Sequence, residues 1–376
     1  MDPDNQTNLP HAMLREIYEQ PRAIADTIDH YFKDGRLDPA VFADARNVLA
    51  GTGRIVIAAS GSSRHAGLVA EIMIEDIAAI PVDVEYASEY CYRSTKIQEQ
   101  LTTLVISQSG ETADTLTALR QAHARGFKTI AITNVANSSM AREATVSLPT
   151  RAGIEKAIPA TKSFTTQMAV LYLLALFLAE QRGRLTSSEV AARVLALQDA
   201  ARLMRDWIPR WADEASKLAE QYRTSRSFLY LGRGVHYPIA REGALKLKES
   251  SYLHAEGYPT GELKHGPNAL VTMEAPLVVL ATRDDRDDES VVRYQKTLSL
   301  LHDLRKQEAS VIALANDSDD EVPRFSKDCV PIPELAEHLL PFFEVVPLQL
   351  FAYSVAVQNG IDVDNPRNLV KAVVRE

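Results

Sequence analysis

Cysteine is scarce in this chain. Its 376 residues hold two, Cys91 and Cys329, far apart and without metal-ligand spacing. Two reduced thiols in a cytoplasmic protein are the expectation, and no metal or organic cofactor is implied. Basic charge is also short. Lys and Arg number 41 against 50 Asp and Glu, a formal net charge of −9. No basic stripe appears, so nucleic acid is not an expected partner. An acidic chain can still bind a phosphate dianion, because diffuse charge is screened within about 8–10 Å in physiological salt. Long apolar runs are missing. The longest, Met168 to Ala179, is about half of a membrane span and reads as a buried helix. The polar start, Met1 to Asn8, lacks the apolar core of a signal peptide. No Pro/Gly/Ser-rich linker interrupts the sequence, which implies tight packing between its parts.

What is present is a repeat, the feature to seek first. Four pieces recur in order. A β-rich run ending in glycine and followed by a helix occurs at 54–79 and again at 227–252. An apolar strand followed by hydroxyl or charged residues occurs at 103–107 and 277–282. A strand ending in asparagine occurs at 129–134 and 311–316. A short strand ending in proline occurs at 146–149 and 330–333. Helical patterns at 114–125 and 290–307 separate the second and third pieces. Strands alternating with helices imply βαβ units and parallel sheets. Continuous apolar strands such as Ile55 to Ala59 suit a sheet covered on both faces. With 46% hydrophobic residues, the chain can fill two cores. The expected fold is α/β, two doubly wound parallel-sheet αβα sandwiches. The divisions are a helical segment 1–44, a first domain 45–185, connecting helices 186–221, a second domain 222–360 and a tail 361–376.

Several segments could carry chemistry. In Ser107-Gln108-Ser109-Gly110-Glu111-Thr112 a strand ends and a helix begins. Ligands of open α/β sheets bind at the carboxyl ends of strands, and a helix N-terminus offers unpaired N–H groups and partial positive charge. Three hydroxyls and a close-approach glycine make this a phosphate cradle. An ordinary helix cap formed by Ser109 would use the same residues. Ser60-Gly61-Ser62-Ser63 is a second, weaker turn of the kind. In the second copy Glu242, Lys246 and Glu249 fall at i, i+4 and i+7, one helix face. A solvated salt-bridge face is the commoner meaning of that spacing. Against it stand the preceding glycine turn and the polar segment that follows, with His254, Glu256, Glu262, Lys264 and His265. A histidine in Glu-Leu-Lys-His-Gly-Pro, in a loop, is a candidate for catalysis. The end, Asp364 to Lys371, is neither helical nor repetitive. Leu369, Val370, Val373 and Val374 give it something to bury, so a docked tail could deliver Lys371 to a site.

These motifs, with Ala160-Thr161-Lys162, Glu242 to Glu249, Gly261 to Pro267 and Pro366 to Lys371, resemble the isomerase half of the glucosamine-6-phosphate synthases, which consists of two sugar-isomerase (SIS) domains. The resemblance runs from Met13 to the C-terminus. It implies that Ser107, Gln108, Ser109, Gly110 and Thr112 hold the phosphate, helped by Gly61, Ser62 and Ser63. It implies that Glu249 is the base moving a proton between C1 and C2, with Lys246 beside it orienting hydroxyls. His265 would assist ring opening from the neighbouring subunit of a homodimer, and Lys371 would form a Schiff base with the ketose. Ile158 and Ala160 would line the sugar pocket. That wall departs from the family, which usually has serine at Ala160; Ser60 likewise replaces a usual cysteine.

The chain begins Met1-Asp2-Pro3, without the glutaminase domain of the full synthase. The expectation is therefore a deaminase or ammonia-dependent synthase interconverting fructose 6-phosphate plus ammonia and glucosamine 6-phosphate, with a separate ammonia source as a possible partner. The alternatives are a deglycase, an isomerase of another 6-phosphosugar, or a non-catalytic phosphosugar sensor.

Overall fold

The computed structural model describes residues 9–93 and 100–374; the polar start, Met1 to Asn8, lies outside them. Two compact units form. A leading unit takes in residues 19–155, 160–201 and 370–376, and a trailing unit takes in 1–18, 156–159 and 202–369. In chain order the principal helices are α1 (Ala12–Tyr18), α2 (Gln20–Tyr31), α3 (Gly61–Ala78), α4 (Ala113–Ala124), α5 (Lys162–Gln181), α6 (Ser187–Tyr222), α7 (His236–Ser251), α8 (Asp288–Lys306) and α9 (Leu340–Gln358). The leading sheet uses β1 (Arg54–Ala59), β2 (Val82–Tyr86), β3 (Leu101–Ile106), β4 (Lys128–Thr133) and β5 (Val146–Pro149). The trailing sheet uses β6 (Ser227–Gly232), β7 (His254–Pro259), β8 (Leu277–Leu280), β9 (Val311–Asn316) and β10 (Asp328–Ile332).

The repeat becomes one topology used twice. The leading order is β2-β1-β3-β4-β5 and the trailing order β7-β6-β8-β9-β10, read from the same edge. Every neighbouring pair in both sheets is parallel. Apolar strands with both faces buried, such as Val311–Asn316, are what helices on both faces require. The edge strands β2 and β7 did not figure in the expected pieces. Residues 254–259, expected as part of a polar loop, pair in register with β6. His-Ala-Glu-Gly-Tyr-Pro has no β-branched residue, but an edge strand tolerates polar and glycine positions that a central one does not.

Among the described residues, two helices are long and apolar enough to cross a membrane, residues 162–181 and 337–358, and each is almost wholly buried. An all-round apolar helix inside a unit is a core element. In the leading unit α5 packs on α3 and α2, and in the trailing unit α9 packs on α7 and α1. Each fully buried Leu or Phe along them contributes about 1.5–3 kcal/mol. Gly67 lets α3 approach β1, since a Cβ there would meet Ile57 at 2.9 Å.

Candidate active site

The leading sheet delivers Ser107 to the carboxyl end of β3, where its N–H donates to Ile132 O at 3.1 Å. Its hydroxyl organises the turn. Ser107 Oγ lies 2.9 Å from Thr112 Oγ1 and accepts the Gly110 N–H at 3.1 Å. Ser109 Oγ accepts the Glu111 N–H at 3.2 Å. The residue capping α4 is Thr112, without a side-chain cap bond, so the ordinary cap by Ser109 is not what forms. The hydroxyls converge on one another and leave the first turn of α4 to other acceptors. Gly110 has φ +66°, and a Cβ there would lie 2.2 Å from Ser138 Oγ; only glycine permits this loop.

The floor beside the cradle is set by residues that carried no sequence signal. Asn134, at the end of β4, donates Nδ2–H to Gly153 O at 2.7 Å. Its Oδ1 accepts from the Thr150 hydroxyl and the Ala152 N–H, both at 3.0 Å. Gln108, Asn134, Thr150, Arg151, Gly153 and Glu155 line an open cavity of about 650 Å³. The tail reaches the same unit, but not by burying its apolar residues as expected: Leu369, Val370, Val373 and Val374 are all exposed, and polar contacts hold it. Val373 O accepts the Ala113 N–H at 2.9 Å, in the first turn of α4. Lys371 Nζ donates to Glu155 Oε2. Burial pushes the Glu155 carboxyl up, but the Lys371 charge and the donors of Thr161 and Ser163 outweigh it and hold it below the usual carboxylate range.

In the second turn of the leading unit, Ser60 precedes α3 in extended conformation and Gly61 has φ +54°. Ser62 and Ser63 are half-buried in its first turn. Ala160 is half-buried before Thr161 in the same unit, whereas Ile158 belongs to the trailing unit, where its N–H donates to Asp364 O at 3.0 Å.

In the trailing unit α7 brings Glu242, Lys246 and Glu249 together. Lys246 Nζ lies 2.5 Å from Glu249 Oε2 and 3.4 Å from Glu242 Oε1. A solvated face is ruled out for two of them, since the Lys246 and Glu242 side chains are fully buried and Glu249 is 23% exposed. Local spacing cannot reveal this; the packing of α9 over α7 decides it. His265 ends an exposed 3₁₀ turn, Glu262–His265. On the edge strand His254 Nε2 lies 3.7 Å from Glu256 Oε1.

The carboxyl ends of β6 and β8 hold something different from the cradle. His236, opening α7, lies 2.7 Å from Glu344 and 3.4 Å from Glu337, all buried. Arg293 binds Glu337 at 2.7 Å, and Ser290 also donates to it. Thr282, beyond β8, donates to Glu344. Burial works against the His236 cation, but Glu344 and Glu337 overcome it and raise its pKa to about 10. Burial likewise opposes the Glu337 anion, which His236, Ser290 and Arg293 pull down to about 2.

Comparison with known proteins agrees with the two-copy fold. The SIS domain model matches residues 48–177 and 221–358. The isomerizing glutamine–fructose-6-phosphate aminotransferase of Chlorobaculum tepidum is 42% identical over 368 residues, 97% of this chain and 58% of that protein. That of Thermus thermophilus is 40% identical over 378 residues, 98% of this chain and 59% of that protein. The chain thus spans just under three fifths of the length of these curated relatives. The C-terminal domain of glucosamine-fructose-6-phosphate aminotransferase from Francisella tularensis superposes with a TM-score of 0.90 at 36% identity, covering 96% of this chain and 100% of that one.

Proposed function

The chain belongs to the SIS domain family and corresponds to the isomerase half of the aminotransferases it matches, and from that premise we propose that it interconverts fructose 6-phosphate plus ammonia and glucosamine 6-phosphate. The observation that carries this reading is the tail docked on the cradle helix, with the Lys371 amine next to a cavity that Gln108 and Glu155 line. A phosphate held at the cradle puts the sugar within the same unit as an amine able to condense with a ketone.

The roles follow from chemistry. Ser107, Gln108, Ser109, Gly110 and Thr112 hold the phosphate through hydroxyls and N–H groups, with Gly61, Ser62 and Ser63 assisting. Ile158 and Ala160 line the sugar. Isomerisation moves one proton between C1 and C2 and needs one carboxylate, for which a positioned base contributes about 10²–10⁴-fold. Glu249 is that base: it alone of the two carboxylates on Lys246 is partly open to a ligand. Lys246 fixes its Oε2 and orients hydroxyls. His265, exposed on its turn, assists ring opening in a neighbouring subunit of a homodimer. The protein works in the cytoplasm and takes ammonia from solution or from a separate source.

The test gives purified protein glucosamine 6-phosphate and quantifies ammonia and fructose 6-phosphate together. Equal release of both is expected. If neither appears, and fructose 6-phosphate with ammonium gives no glucosamine 6-phosphate, the reading fails in favour of another sugar or a phosphosugar sensor.

A further inference from the structure

Glu155 is a buried acid to which the proposed reaction gives no role. Its side chain is fully buried, while that of Lys371 is 26% exposed. Its oxygens are divided between two duties. Oε1 accepts the N–H groups of Thr161 at 3.0 Å and Ser163 at 3.1 Å. Oε2 accepts the Ser163 hydroxyl at 2.7 Å and the Lys371 ammonium. A carboxylate with this many donors is fixed in place as an anion. Three of the four donors come from the entry to α5, so the anion is held by the scaffold and the lysine is held by the anion.

We infer that Glu155 is a positioning residue and the standing counter-ion of Lys371, holding its nitrogen at the cavity both as the free ammonium and as the iminium it forms with a ketose. The inference rests on the reading that Lys371 condenses with the sugar. The balance of that step explains why one carboxylate serves both states. The N–C bond forms at the carbonyl carbon and the C–O bond breaks. The oxygen leaves as water with two of the three ammonium protons, and the third stays on nitrogen. The nitrogen carries one positive charge before and after. A fixed anion therefore matches both ends of the step, and a neutral amide of the same shape matches neither.

The test uses the full chain and two probes. Fructose 6-phosphate with borohydride reports sugar trapped on Lys371, read by peptide mass. Formaldehyde with cyanoborohydride, without sugar, reports how freely the Lys371 amine reacts. In Glu155→Gln, sugar trapping is expected to fall about ten- to a hundredfold, the worth of a charge-assisted hydrogen bond, because a sugar anchored by its phosphate presents its carbonyl at one place and the Lys371 nitrogen is no longer held there. Formaldehyde labelling is expected to rise about tenfold, because a nitrogen released from Glu155 is free to meet a small aldehyde that no site has to position. Binding of inorganic phosphate should stay at the wild-type level, a readout that collapse of the unit would destroy. Lys371→Met supplies the background for both probes. If wild type labels with formaldehyde but traps no sugar, the ketose reading fails, and the formaldehyde rates alone still decide whether Glu155 governs Lys371. Wild-type trapping and wild-type labelling in Glu155→Gln would overturn the inference. Should that variant not fold, Glu155→Asp withdraws the carboxylate by one methylene, and unchanged values in it would overturn the inference equally.

Discussion

Glu242 and Glu249 share one lysine and differ in exposure as well as in distance to it, and the exposure is what the proposed roles rest on. Glu242 is sealed in the core against Lys246, whereas Glu249 keeps an open edge. Glu249→Gln should therefore lower incorporation of solvent deuterium at C2 of the sugar about 10²–10⁴-fold, with glucosamine 6-phosphate binding retained. Incorporation at the wild-type rate, followed by NMR, would take the base role from Glu249. Residues of this kind are legible in sequence to unequal degrees. The cradle is legible because its hydroxyls and glycine lie within six consecutive positions, and the loop they form is local. Glu155 is not, because its partner Lys371 is 216 residues away. Asn134 announces only the end of a strand; that it also ties residues 150 to 153 depends on a chain reversal after β5.

At the level of elements, the junction of α7, α8 and α9 should make stability depend on pH. His236 faces Glu337 and Glu344, and Arg293 backs Glu337 from α8. Because the folded protein holds the His236 proton more tightly than the unfolded chain does, this contribution is full below the ordinary imidazole value near 6.5 and is lost as pH rises through about 10. Glu337 behaves oppositely. Its contribution is present above the ordinary carboxylate value of 4.5 and is lost as pH falls through about 2. Unfolding temperature measured from pH 6 to 10 should fall, and the fall should be shallower in His236→Gln, a variant less stable at pH 6. A slope equal to that of wild type would remove His236 as its source. Elements also mark where sequence pattern reaches its limit. The helices α5 and α6 correspond to the buried helix expected from Met168 to Ala179 and the connecting stretch expected at 186–221, the latter as one continuous helix, since each is long and periodically patterned. The edge strands β2 and β7 escape notice because a single exposed edge imposes little alternation on six residues or fewer.

At the level of the whole molecule, the proposed homodimer, with His265 serving its neighbour, has a consequence for mixtures. Glu249→Gln and His265→Asn proteins, each inactive alone, should regain activity when their subunits exchange. About a quarter of wild-type turnover is expected, since half the dimers are mixed and each mixed dimer has one complete site. No recovery after exchange, verified by mass, would place His265 within its own chain's chemistry or outside it altogether. The double fold itself was legible because four pieces recur in one order, and both sheets adopt one strand order.

The two copies diverge at the corresponding strand ends. Asn134 and Asn316 both close their strands by binding the facing loop. After β3 come serines and an open helix end; after β8 comes Thr282, committed to Glu344, with Glu337 and Asp284 close by. A phosphate dianion brought to the second strand end would find the cations there, His236 and Arg293, already committed to Glu337 and Glu344 and not free to hold it. Symmetry of architecture is thus uncoupled from stoichiometry: on the proposed reading a chain with two copies of one fold carries one anion, and an internal ionic lock occupies the strand ends where a second would sit.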